Sequence, residues 1–261
     1  MTQGLPATHP WVAFRTLVRK EFYRFMRIWV QTLVPPAITM GLYFVIFGNL
    51  IGSRVGTMDG FPYMQYIAPG IIMMSVITSS YANVVSSLFS AKFQRFVEEI
   101  LVSPMPDIMI IAGYVAGGVM RGLLVGAVVT AVALCFTDLS VASPLLTVCV
   151  VLLTATLFSL AGYINALFAR KFDDISIVPT FILTPLTYLG GVFYSIDLLP
   201  PFWERLSLAN PVFYMVNAFR EGMLGKSDVA PHIALAVIAA GILVLFGVCV
   251  ALMRRGTGLR N

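Results

Sequence analysis

Six long apolar runs, separated by short charged or turn-rich segments, dominate the residue pattern of this chain. They fall at about 29–50, 67–90, 108–136, 145–168, 175–194 and 233–253, each near or above the roughly 20 residues that cross the hydrocarbon of a bilayer as a helix. Two shorter segments keep helical periodicity instead. In Ala91–Pro106, residues Phe93, Phe96, Val97, Ile100 and Leu101 fall at i, i+3, i+4, i+7 and i+8, with Lys92, Arg95, Glu98 and Glu99 elsewhere around the turn. Pro104 and Pro106 end that helix, because neither continues the hydrogen-bond ladder. In Trp11–Arg27 an aromatic stripe of Trp11, Phe14, Phe22 and Phe25 runs beside five basic residues, a pattern suited to the headgroup region.

The fold expected is therefore an all-α integral membrane protein. Residues 1–28 form an interfacial amphipathic helix, 29–253 a six-span transmembrane domain and 254–261 a tail. Within the domain, 91–106 is a surface helix. Residues 195–225 are too broken by Pro200, Pro201 and Pro211 to span, and too aromatic for a free loop, so short re-entrant helices are expected there, turning at Asn210-Pro211.

Composition agrees. Hydrophobic residues make up 59% of the chain and charged residues 11%, against about 25% in soluble domains. The distribution of charge sets the orientation. With both termini inside, twelve of the seventeen Lys and Arg residues lie on the cytoplasmic side and four outside (Arg54, Arg205, Arg220, Lys226), with Arg121 within a span. The net charge of +5 thus reflects orientation and not a nucleic-acid partner. The start of the chain shows no compact apolar core with a cleavage site, so no secretory leader is expected. Cys135, Cys149 and Cys249 sit in apolar runs as packing residues.

Several polar positions inside the runs are candidates for a pathway or gate. Ser75, Ser79, Asn83 and Ser87 recur every fourth residue of the second run, either facing a pathway or bonding to a neighbouring helix. Arg121 interrupts the third run, where a charge is costly unless it serves a function or snorkels. Thr184 and Tyr188 follow Pro179 and Pro185 in a fifth run whose backbone those prolines loosen. The third run also repeats glycine at four-residue spacing (Gly113/Gly117 and Gly118/Gly122/Gly126), which permits close helix approach.

Chemistry of other kinds is missing from the pattern. There is no HExxH, CxxC or GxSxG motif, and His9 and His232 stand at opposite ends of the chain. Gly225-Lys226-Ser227 imitates the end of a phosphate-binding loop, but Arg220 occupies the position of its first glycine and no strand precedes it. The chain is expected to catalyse nothing itself and to bind no metal, nucleotide or other cofactor.

From about Phe22 onward the chain resembles the membrane subunit of ABC-2 type transporters. The likeness is carried by 25–52, by 91–104, by Phe172-Asp173-Asp174-Ile175-Ser176 through Ser195, and by 199–220 with Asn210-Pro211. The family's glutamate-leucine-proline pattern is approximated by Glu98, Leu101 and Pro104, with Phe96-Val97 where a glycine is common. The resemblance implies a coupling helix at 91–106, with Arg95, Glu98, Glu99, Leu101 and Pro104 facing a partner. It implies a homodimer in the bacterial inner membrane, and two separate cytoplasmic ATPase subunits that use ATP and Mg. Such members export lipid-linked glycans, lipo-oligosaccharides, drugs or peptides. An ion-gradient-driven transporter or a non-transporting membrane scaffold is the alternative.

Overall fold

The computed structural model describes residues 10–103 and 105–258. Pro104, named above as a coupling residue, lies outside the described residues. Helix α1 spans Pro10–Met26, and α2, Trp29–Tyr43, continues through a π-helical stretch, Phe44–Ile51, into α3, Gly52–Val55. Strands β1 (Thr57–Met58) and β2 (Phe61–Pro62) then pair antiparallel, the one departure from an all-helical chain among the described residues. Their turn is Asp59-Gly60, both residues at positive φ, as a two-residue hairpin turn requires.

Next come α4 (Tyr63–Phe93), α5 (Phe96–Val102), α6 (Asp107–Ala133) and α7 (Pro144–Phe168). Helix α8 (Asp174–Val178) leads through a π turn, Pro179–Leu183, into α9 (Thr184–Tyr188). The chain closes with α10 (Pro201–Leu208), α11 (Pro211–Leu224) and α12 (Pro231–Arg254).

Among the described residues, five helical stretches are long and apolar enough to cross a membrane: Trp29–Val55, Tyr63–Phe93, Asp107–Ala133, Pro144–Phe168 and Pro231–Arg254. The fifth expected run, 175–194, is shorter than drawn from the sequence. Its three five-residue pieces, α8 to α9, rise roughly 22 Å, less than the roughly 30 Å of hydrocarbon. Gly190 and Gly191 then turn the chain, Gly191 at φ 70°. The π turn has a local cause: Pro179 and Pro185 withhold backbone donors. Thr184 Oγ1 donates to Pro179 O at 2.9 Å and Thr187 Oγ1 to Thr184 O at 2.8 Å.

Helix α4 is the axis of the bundle, with 83% of its most apolar window buried against 17–18% for the first and last spans. It packs chiefly on α6 and α7. Between helices in lipid the hydrophobic effect gives no net pull, so close approach and buried polar groups decide the packing. Gly162 of α7 lies so near the carbonyl of Tyr81 that an added Cβ would sit 2.6 Å from that oxygen. Gly118, Gly122 and Gly126 of α6 face Val84, Ser80 and Val76 of α4 in the same way.

At one end of the bundle stand α5, the loop after α7 and the C-terminal tail at Gly258. The other end holds the hairpin and the helix α11. Lys226 Nζ donates to Asp59 O at 2.8 Å, while Ala142 and Ser143 donate to the carbonyls of Met223 and Gly222.

Candidate coupling and pathway site

The segment expected as one surface helix over 91–106 is split. Helix α4 continues to Phe93, Arg95 adopts a left-handed conformation (φ 62°, ψ 8°), and α5 covers only Phe96–Val102. A non-glycine residue in that region costs about 1–2 kcal/mol. The bend it makes turns α5 away from the axis of α4. Glu98 and Glu99 occupy the first turn of α5, where carboxylates complement the N-terminal end of the helix dipole.

The break also redistributes the apolar stripe. Val97 is buried, Ile100 and Leu101 are half-buried, and Phe96 and Val102 are 51% and 87% exposed. Phe93, left on α4, packs on Phe172 with ring centroids 5.0 Å apart. Two grooves flank α5. An apolar one of about 500 Å³ lies between α1 and α5, with Lys20 and Glu99 on its lining. A polar one of about 270 Å³ gathers Lys92, Arg95, Glu98 and Arg170. Of the coupling candidates, Arg95, Glu98 and Glu99 are exposed on this face.

Behind α5 lies a cluster that the periodicity did not show. Helix α1 presses into α6 where Gly113 and Gly117 leave room for Leu17 and Glu21. Glu21 is fully buried. Its Oε1 accepts from Ser87 Oγ at 2.7 Å, and its Oε2 lies 3.3 Å from Arg24 Nε. Arg24 Nη2 donates onward to Asn83 Oδ1 at 2.7 Å and Asn83 O at 3.0 Å. A buried carboxylate is tolerable only when paired and hydrogen-bonded, and here it is both.

The lower half of the polar stripe on the second span therefore bonds to α1. In the upper half, Ser75 Oγ donates to Ile71 O of its own helix at 3.0 Å, and Ser79 is buried. Arg121 continues the Gly113–Gly117 stripe by one turn. Its Nε is buried and finds no acceptor, and the nearby Asn83 Nδ2 and Ser80 Oγ are also without partners. Thr184 and Tyr188 belong to the exposed side of α9. Tyr188 Oη lies 2.9 Å from Tyr43 Oη of α2, and its ring stacks on Phe193. So Asn83 and Arg121 lie at one junction while Thr184 and Tyr188 lie on a separate face.

At the far end, Asn210 caps α11: its Oδ1 accepts from Val212 N at 2.9 Å, its Nδ2 donates to Leu186 O at 2.6 Å, and Pro211 takes the first helical position. Helix α11 is buried along most of its length, packed on α4, α7 and α12. Arg220, counted above among the outside charges, is 1% exposed. Its guanidinium stands 4.0 Å over the Tyr66 ring and donates to Gly191 O at 2.7 Å. Nearby, burial pushes the Asp228 carboxyl above its ordinary range, opposed by the Arg220 charge. At the start of α8 the reverse holds: the N–H groups of Arg170 and Lys171 donate to Asp174 Oδ2 at 2.8 and 3.0 Å and keep that carboxyl low.

Comparison with known proteins agrees with this architecture. Residues 12–224 match the family model described as ABC-2 type transporter. The chain is 60% identical over 251 residues to the inner membrane transport permease YadH of Escherichia coli K12, covering 96% of this chain and 98% of that one. It is 25% identical over 215 residues to nodulation protein J of Rhizobium leguminosarum bv. viciae, and 28% over 193 residues to that of Sinorhizobium fredii. Those alignments cover 82% and 73% of this chain, and 83% and 74% of the relatives. The chain belongs to the ABC-2 type transporter family and is a multi-pass inner-membrane transport permease.

Proposed function

We propose that this chain is the membrane subunit of an ABC exporter that moves an amphipathic or lipid-linked substrate out of the cytoplasm or inner leaflet. Two copies pair, and two separate cytoplasmic ATPase subunits that use ATP and Mg dock on the end that carries α5. Arg95, Glu98, Glu99 and Leu101, with Pro104, form the coupling contact. The observation that carries this reading is α5 itself. A seven-residue acidic helix, set off by the bend at Arg95, is presented beside two open grooves in a chain whose sequence holds no nucleotide-binding motif.

In this reading both termini face the cytoplasm, and the broken helix α8–α9 with the segment after it makes the fifth of six crossings. A bendable helix suits a gate, and its exposed face places Thr184 and Tyr188 beside Tyr43 of α2, where a second copy would enclose them. Arg121, Ser75, Ser79 and Asn83 remain the candidates on the second and third spans for responding to that motion. The test is co-purification with an ATPase subunit, followed by ATP hydrolysis in proteoliposomes. Hydrolysis stimulated by the permease, together with ATP-dependent movement of a fluorescent lipid-linked oligosaccharide, supports the assignment. No association, with movement of the probe on a proton gradient alone, contradicts it.

One observation favours the ion-driven alternative: Glu21 is a buried carboxylate, the kind of group that ion coupling needs. Against it, both carboxylate oxygens are already engaged, by Arg24 and Ser87. Glu21→Gln abolishing proton-driven probe movement would revive that alternative.

A further inference from the structure

We propose that Lys92 is a positioning residue: a joint that carries displacement of α5 to the inner ends of the fourth and fifth spans. The inference rests on the coupling reading above. A helix leaves the carbonyls of its last turn without intrahelical partners. At the end of α7, Lys92 Nζ supplies them, donating to Ala166 O at 2.8 Å, Leu167 O at 2.6 Å and Ala169 O at 3.2 Å. An ammonium has three donors, and here all three are used on the negative end of a helix dipole. Lys92 is thereby committed to the interior and is not a free charge for a partner.

A second contact reinforces the first. Phe172, in the loop after α7, packs edge-on against Phe89 and Phe93 of α4, both at 5.0 Å. That loop is itself braced by Asp174, which grips the backbone of Arg170 and Lys171 just before α8. The last turn of α4 is thus fastened to the bottom of both α7 and α8. Only Gln94 and Arg95 separate this joint from α5. Because the bend at Arg95 lies on the α5 side of Lys92, a push on α5 reaches α4 next to the joint and passes across it. Beyond it lies the proline-broken helix that carries Thr184 and Tyr188.

The experiment uses the full permease–ATPase complex in nanodiscs, in a background with its three cysteines replaced. Spin labels at the exposed positions Val102 and Phe168 are each paired with a label at exposed Leu243. Distances are read without nucleotide and with the ATPases trapped by ATP, Mg and vanadate. Both pairs should shift in the wild type. In Lys92→Met the Val102 shift should persist and the Phe168 shift should fall by at least half, with ATP hydrolysis within about twofold of wild type. Lys92→Arg, which keeps charge and donors, should restore most of the Phe168 shift. Phe172→Ala should weaken it without touching the lysine, and with Lys92→Arg it carries the test if Lys92→Met does not assemble. An unchanged Phe168 shift in Lys92→Met, or in Phe172→Ala where that variant stands in, overturns the joint. A wild type in which Val102 itself does not respond removes the coupling reading, and the joint with it.

Discussion

Ser87 Oγ donates to Glu21 Oε1 at 2.7 Å, joining a buried carboxylate of the first helix to the C-terminal part of α4 across sixty-six residues of chain. With Arg24 and Asn83 it makes a connected polar set behind the first helix. Removing Arg24 leaves the Glu21 carboxylate buried without its counter-charge, whereas removing Glu21 leaves a guanidinium that is 28% exposed and still bonded to Asn83. Arg24→Ala should cost about 2–4 kcal/mol and Glu21→Ala, which leaves a part-solvated and still bonded arginine, about 1–3 kcal/mol. The double substitution should cost at least about 1 kcal/mol less than their sum. A double-mutant cycle by chemical unfolding in mixed micelles measures this, and strict additivity would show that the pair is not coupled.

Glycine substitutions test the close approach of the helices. Gly162→Ala places a methyl 2.6 Å from the Tyr81 carbonyl, which backbone cannot easily yield, so a loss of about 1–3 kcal/mol is expected. Gly247, with nothing within 4 Å of an added Cβ, is the control. There alanine should be neutral, or stabilising by up to about 1 kcal/mol through helix propensity. Thermal unfolding of both variants in one detergent decides; equal melting temperatures would contradict the packing described.

Buried Arg220 and half-buried Arg121 should separate by kind of defect. Arg220 stacks on Tyr66 and bonds Gly191, so Arg220→Lys, which keeps charge but not the planar fork, should unfold more easily than wild type. Arg121 makes no such bonds at Nε. Arg121→Ala should leave the unfolding midpoint near wild type while lowering permease-stimulated ATP hydrolysis several-fold. A midpoint shift as large as that of Arg220→Lys would assign Arg121 to packing.

Much of the fold was legible because long apolar runs have few alternatives. The second, fourth and last runs, expected at 67–90, 145–168 and 233–253, correspond to helices at 63–93, 144–168 and 231–254. The fifth was overdrawn, because hydropathy does not register that Gly190-Gly191 turns the chain. The break at Arg95 had no signal at all, since nothing short of glycine or asparagine marks a left-handed residue. Asp59-Gly60, by contrast, is a hairpin signal present in the sequence itself. Glu21 carries no signal in the sequence, standing among the basic residues of an amphipathic helix. Its partners, Asn83 and Ser87, were noted as a stripe, and only tertiary packing joins the two. Arg220 is hidden for the same reason: its segment is expected as short re-entrant helices, and nothing local pairs Arg220 with Tyr66 and Gly191.

Topology is open to direct labelling. Single cysteines at Ser53 and Ser227 should react with an impermeant maleimide added outside intact spheroplasts, and one at Ser103 only after lysis. The opposite pattern would place α5 on the wrong side for any cytoplasmic motor.

The central claim is that α5 is where the work of ATP enters. The most direct measurement is ATP hydrolysis by the ATPase subunit reconstituted with wild-type permease and with the E98K/E99K variant. Reversing both charges on an exposed first turn should leave membrane insertion intact and abolish most of the stimulation of hydrolysis by the permease. Undiminished stimulation with a correctly inserted E98K/E99K variant would contradict the account.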